Sequence, residues 1–267
     1  MLVDMHTHFG GSVGFRMPRK VLLESMQKYG VNFSLTSNCQ CVECDRKQRV
    51  LPRFLQRSQI GANLKAIEFA RKNREQIGAL IWCKPRTARA DEAFAQMIAQ
   101  NRDVIYGLKF HPYYSGVPFD DERTEAYLQV AERFGLAVLV HTATEDCCTP
   151  QRVYNAAKRH PKLNFVMGHM GLGSDNREAM ALILSLPNLF GDTCWVRPEQ
   201  VLWFIQNGGE DKIMFGTDNT IDGADTLEHE WYREMLDGFP QKTGHQAYEK
   251  LTYRNAQRVF GIRLSEN

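Results

Sequence analysis

No apolar stretch in the chain approaches the roughly 20 residues that a bilayer-spanning helix requires, and the first residues lead straight into a histidine-bearing apolar segment instead of a secretory signal. A cytoplasmic protein with no membrane partner is expected. An excess of charge of one sign is also missing. Lys and Arg total 33 against 31 Asp and Glu, a formal net charge of +2, and they are scattered among one another. That leaves no broad basic face to track a phosphate backbone, so nucleic acid is disfavoured as a partner. The seven cysteines are odd in number and include the adjacent pair Cys147 and Cys148, poor material for a disulfide framework in a large chain. Reduced thiols follow. Cys39, Cys41 and Cys44 are closely spaced but lack the paired Cys-x-x-Cys hooks of a structural zinc site. Cys83 could add a fourth sulfur if their loop folds back; plain thiols on a lid-like loop are the simpler reading.

Neither an internal repeat nor a low-complexity linker divides the chain, and 267 residues suit one large α/β domain. Eight short apolar runs alternate with helical patterns. Strands are predicted at Leu2 to His8, Val31 to Thr36, Gly78 to Cys83, Val104 to His111, Leu136 to His141, Leu163 to His169, Leu189 to Thr193 and Lys212 to Thr217. The first is followed by a glycine-rich loop, Phe9 to Gly14, and a helix from Pro18 to Tyr29 that Gly30 stops. Further helices are predicted at Glu92 to Gln100, Glu122 to Phe134, Pro150 to Arg159, Asn176 to Leu186 and Pro198 to Gln206, with helical cover over Asp225 to Leu236 and His245 to Phe260. Alternating strand and helix means parallel β/α units. The predicted fold is a single-domain (β/α)8 TIM barrel over residues 1–267, with a doubly wound open sheet as the rival architecture.

In such a fold the chemistry gathers at the carboxyl ends of the strands. Polar residues accumulate there. The first strand ends on His6 and His8, which share one face because side chains alternate along a strand. Later strands end on Lys109 and His111, on His141, on His169 and on Asp218. Each alone has an ordinary explanation: a hydrogen-bonded histidine, or an aspartate capping the next helix. Together, these imidazoles and a carboxylate at one barrel mouth are costly to desolvate unless something compensates them. A divalent metal does so, and His and Asp suit zinc.

These strand ends, with the tail Asn255-Ala256-Gln257-Arg258-Val259-Phe260-Gly261, resemble the amidohydrolase superfamily of metal-dependent barrel enzymes, and the tail is similar to the amidohydrolase 2 branch. The resemblance implies that His6, His8 and Asp218 hold the more buried metal, that His141 is a further ligand, and that His169 binds a second metal or contacts substrate. Lys109 is similar in position to a lysine that is carboxylated and bridges two metals in dihydroorotase-like relatives; the other reading is a charged amine facing a substrate acid group. The ion is expected to be Zn2+, with Mn2+ as the alternative, and one or two per chain.

The leading functional expectation is hydrolysis of a small anionic amide, ester or lactone by metal-activated water, with Asp218, His169 and Lys109 as catalytic residues. The same ligands would serve a single-metal decarboxylase of an aromatic or unsaturated acid. A TatD-like deoxyribonuclease is a third reading, opposed by the lysine where those enzymes carry glutamate; a non-enzymatic metal-binding protein is the fourth. Substrate contacts are expected from His111, Tyr113, Arg16 and Arg197, with Tyr114 and Arg19 nearby, and Cys194 and Trp195 lining pocket or core. A homodimer is expected from the relatives.

Overall fold

The first strand is longer than the apolar run suggests. In the computed structural model, which describes residues 1–264, β1 spans Val3–Ser12 and turns back into antiparallel β2, Phe15–Met17, pairing Gly10 with Met17 and Gly11 with Arg16. The predicted glycine-rich loop is thus a hairpin. Gly10, at φ +109°, approaches the Asn38 side chain so closely that a Cβ there would collide with it, which is why this position needs glycine.

From β1 onward strand and helix alternate: α1 (Arg19–Tyr29), β3 (Phe33–Asn38), α2 (Gln59–Lys72), β4 (Ile77–Trp82), α3 (Glu92–Ala99) and β5 (Ile105–Phe110). A one-turn α4 (Pro112–Ser115), not expected from the pattern, precedes α5 (Glu122–Phe134). Then come β6 (Ala137–Ala143), α6 (Pro150–Arg159), β7 (Phe165–Leu172), α7 (Arg177–Ser185), β8 (Leu189–Asp192), α8 (Pro198–Phe204) and β9 (Ile213–Met214). The nine-stranded sheet runs β2-β1-β3-β4-β5-β6-β7-β8-β9, parallel throughout except for β2. Strand order follows chain order because each helix carries the chain across to the next parallel edge.

The sheet curls until its ends meet. Met5 N donates to Phe215 O at 3.0 Å, Asp218 N donates to His6 O at 2.8 Å, and Thr7 pairs in parallel with Asn219. The strand predicted over Lys212 to Thr217 is regular only at Ile213–Met214, because beyond it the chain bends to bond β1 and Asp218 enters the left-handed region at φ +62°. Inside the curl lie Val3, Met5, Phe33, Leu35, Leu80, Leu139, Val166 and Met214, all buried. Tyr253, Ala256, Val259 and Phe260 pack on them, so the terminal helix α11 (Asn255–Phe260) plugs the amino-terminal end of the strands. A second, larger core fills the space between sheet and helices. Each such side chain contributes about 1.5–3 kcal/mol when fully buried. The cover after β9 differs from expectation: α9 spans Glu230–Thr243 with Pro240 inside it, and α10 (His245–Glu249) leads on to α11. Among the described residues no helix is long and apolar enough to cross a membrane.

Candidate active site

With one end of the curl plugged, the carboxyl ends of the strands form the open end, and every predicted metal-ligating side chain lies there. β1 presents His6 and His8, whose rings meet edge to face at 5.1 Å. β5 brings Lys109, β6 His141, β7 His169, and the segment after β9 brings Asp218. Ligand atoms of His6, His169 and Asp218 all lie within 4.8 Å of one another, and these residues are buried. Asp218 Oδ1 is 3.6 Å from His6 Nε2 and 3.0 Å from His8 Nε2.

The nitrogens that face away from Asp218 are all accounted for. His6 Nδ1 is 2.7 Å from Asp192 Oδ2, His8 Nδ1 is 2.8 Å from Ser37 Oγ, and His169 Nδ1 is 3.3 Å from the Cys194 carbonyl. The acceptors Asp192 and the Cys194 carbonyl favour the tautomer that leaves Nε2 of His6 and His169 as the coordinating atom, while Ser37 orients the His8 ring. Burial holds all three imidazoles below their ordinary pKa and so neutral at pH 7, as a metal ligand must be. Burial by itself would raise Asp218, but its hydrogen bond with His8 outweighs this and keeps its carboxyl below the usual range. Trp195 Nε1 donates to its other oxygen at 3.2 Å. Neutral nitrogen donors and an ionised carboxylate around one point fit a divalent cation.

A second trio, His6, Asp192 and Cys194, is equally close. It lies on the Nδ1 side of His6, which Asp192 already occupies, and burial pushes the Cys194 thiol well above its ordinary pKa. A protonated thiol is a poor ligand. Lys109 Nζ sits 2.7 Å from His6 Nε2, fully buried, and burial brings its pKa down to about 8.

His141 stands apart from the trio. Its ring stacks on His111 at 3.9 Å, 16° from parallel, and meets His169 edge-on at 4.6 Å. Trp82 continues the stack on the other side of His111 at 5.7 Å and 14°. These rings form one wall of a cavity of about 490 Å³ that reaches down to His8 and Asp218. Tyr113 and Tyr114 also line it, and among the described residues His111 Nδ1 has no hydrogen-bond partner.

The two arginines expected at substrate are elsewhere. Arg197 is exposed and lies 3.8 Å from Glu199, and Arg16 is exposed on β2, where the unforeseen hairpin carries it away from the cavity. Arg19 stacks over Phe9 and Phe69. The cation that does reach the rim is Arg46, paired with Asp222 at 2.5 Å. The loop cysteines Cys39 and Cys41 pack in an apolar cluster with Met17, Val42 and Trp82, and no cysteine of that loop belongs to a group of ligand atoms close enough to share an ion, among the described residues.

Asp192 was missed in the sequence although it carries a readable signal, a carboxylate ending an apolar strand. Its Oδ2 holds His6, while Oδ1 accepts from His169 N at 2.7 Å and Cys194 N at 3.1 Å, so one buried group sets two of the three clustered imidazole and carboxylate positions. Ser37, which orients His8, gave no such signal.

The profile of a family described as amidohydrolase matches residues 3–262. The chain belongs to the amidohydrolase family, in its amidohydrolase 2 branch. No curated protein matches the sequence. Solved structures of similar fold include a 5-carboxyvanillate decarboxylase from Novosphingobium aromaticivorans with bound manganese and 3-methoxy-4-hydroxy-5-nitrobenzoic acid, 13% identical over 98% of this chain and 97% of that one, TM-score 0.73. Another is the 5-carboxyvanillate decarboxylase of Sphingomonas paucimobilis, 15% identical over 98% and 99%, TM-score 0.68. A 2,6-dihydroxybenzoate decarboxylase from Rhizobium is 16% identical over 97% and 98%, TM-score 0.64. For this amidohydrolase-family chain these likenesses establish the fold.

Proposed function

We propose that this amidohydrolase-family protein is a closed (β/α)8-barrel enzyme that binds one divalent metal and decarboxylates a small, planar unsaturated or aromatic acid. The observation that carries the reading is that the described residues hold one usable trio, His6, His169 and Asp218, whose back nitrogens are tied and whose far side is blocked by the His6–Asp192 pair. His8 and His141 adjoin it. Zn2+ and Mn2+ both suit these donors; the manganese in the Novosphingobium decarboxylase favours Mn2+ here. When bound, the metal supplies positive charge that neutralises and orients the acid's oxygens.

The chain's own residues do the rest. The Trp82–His111–His141 stack offers a flat wall for a planar ring. Loss of carbon dioxide requires a proton at the carbon it leaves. Asp218, which touches both the cavity and His8, is positioned to carry that proton between its neighbours and the substrate. In this reading Lys109 is an unmodified lysine, and the substrate is a small molecule.

A hydrolase is the second reading, and one observation favours it: Asp218 is held ionised, the state that accepts a proton from an attacking water. A panel of aromatic acids, lactones, esters and amides, assayed with the Mn2+-loaded protein for both carbon dioxide release and acid release, separates the two. Carbon dioxide from an aromatic acid supports the proposal. Acid release from a lactone, ester or amide, with no carbon dioxide from any acid, overturns it in favour of hydrolysis.

A further inference from the structure

Immediately after β6 the chain passes along the cavity wall at Thr144 and Glu145 and enters a single 3-10 turn, Asp146–Cys148. Cys148 N donates to Glu145 O at 2.8 Å, and Arg152 grips Asp146 through its carbonyl at 2.5 Å and its carboxylate at 2.8 Å. This anchored turn places the two adjacent thiols side by side, Sγ to Sγ 3.4 Å. Cys147 is half-buried and Cys148 lies beneath it, while Gln48 from the loop over the cavity reaches Cys147 Sγ at 3.9 Å.

We infer that Cys147 and Cys148 form a bidentate dithiol site, outside the histidine–aspartate centre, for a monosubstituted trivalent arsenical or a thiophile of the same chemistry. Two bonds of about 2.3 Å, the length of a zinc–thiolate bond, meeting at one pyramidal atom hold their sulfurs roughly 3.3–3.8 Å apart. The observed separation is already in that range. A divalent metal seeking four ligands is poorly served here, because no third His, Cys, Asp or Glu among the described residues closes a group around the pair. An arsenic carrying one carbon substituent needs only two sulfurs.

Reactivity separates this pair from the other thiols. The hydrogen bond from Cys148 lowers Cys147 below the ordinary thiol value, making it the more readily ionised of the two, while the same contact and burial raise Cys148. Burial pushes Cys39 and Cys41 up to about 12 and raises Cys44, Cys83 and Cys194 as well. The step balances without an oxidant. Two S–H bonds break, two As–S bonds form, and the two protons leave with the oxide oxygen as water; arsenic stays trivalent.

The test uses phenylarsine oxide on the full chain loaded with Mn2+, read by intact mass, so that it is independent of which reaction the enzyme performs. One adduct per chain is expected, persisting in excess monothiol, removed by a dithiol, and formed equally with and without Mn2+. Cys147→Ser and Cys148→Ser should each weaken capture at least tenfold with an unchanged circular dichroism spectrum, and Cys44→Ser should leave it intact. No adduct on the wild type, an adduct stripped by monothiol, or one retained by the Cys147→Ser/Cys148→Ser double variant overturns the site. Since Cys147 is half-exposed, its serine variant keeps the test decisive if Cys148→Ser fails to fold.

Discussion

His6 Nδ1 lies 2.7 Å from Asp192 Oδ2, and the other oxygen of the same carboxylate accepts from the backbone N–H of His169. One buried aspartate therefore aims one imidazole and fixes the strand end that carries another. Asp192→Asn keeps the shape but exposes the site to an amide that can donate where the ring needs an acceptor. Mn2+ affinity should fall about 10- to 100-fold, the usual effect of losing an orienting partner, with the fold intact, as read by calorimetric titration and circular dichroism. Unchanged affinity would remove Asp192 from the centre.

A glycine enforces the same geometry from behind. A Cβ on Gly216 would stand 3.0 Å from Cys194 Sγ and 3.1 Å from His6 Cβ. Gly216→Ala must push on the strand that carries His6, so it should cost about 1–3 kcal/mol in urea denaturation and weaken Mn2+ binding as well. A variant of wild-type stability and affinity would mean that the wall behind His6 is loose.

Protonation gives a pH signature in the metal-free protein. Burial lowers His6, His8, His111, His141 and His169 below 6.5, so on unfolding below that pH they take up protons. The unfolded state then holds more protons, and stability falls as pH falls through 6.5, with a slope of about 1.4 kcal/mol per pH unit for each net proton. Asp4, raised to about 7 by burial, and Asp192, also raised, act the other way: their contribution is full below 3.8 and is lost as pH rises through their folded values. Five imidazoles outweigh two carboxyls. Urea denaturation of metal-free protein should find it less stable at pH 5.5 than at pH 7.5; equal stability would mean the rings are not held neutral.

How far the sequence disclosed this arrangement depended on which interactions were local. Strand and helix alternation was readable because apolar runs and caps such as Gly30 and Gly135 are local signals, and both glycines do close their helices in the left-handed conformation. The gathering of His6, His8, Lys109, His141, His169 and Asp218 at one end was readable for the same reason, since each sits where an apolar run of the sequence gives way to polar residues, although β1, β6 and β7 continue past their histidines. Their order within that end was not. Whether His141 or His169 sits nearest Asp218 depends on local backbone turns, and His169 enters the left-handed region at φ +67°. The hairpin to Met17 removed Arg16 from the cavity, and the loop after β3 brought in Arg46, because the path of a long loop follows tertiary contacts that no periodicity records. Asp192 was legible and overlooked; Ser37 could only be found once its contact with His8 was seen.

The central claim is that one cation is held where His6, His169 and Asp218 converge. Titration of the metal-free protein with Mn2+, followed by the electron paramagnetic resonance signal of the free ion, tests it most directly. The account predicts one tightly bound ion per chain, unaffected by added bicarbonate and lost in Asp218→Ala. Two tightly bound ions, a second appearing with bicarbonate, or full binding by Asp218→Ala would contradict it.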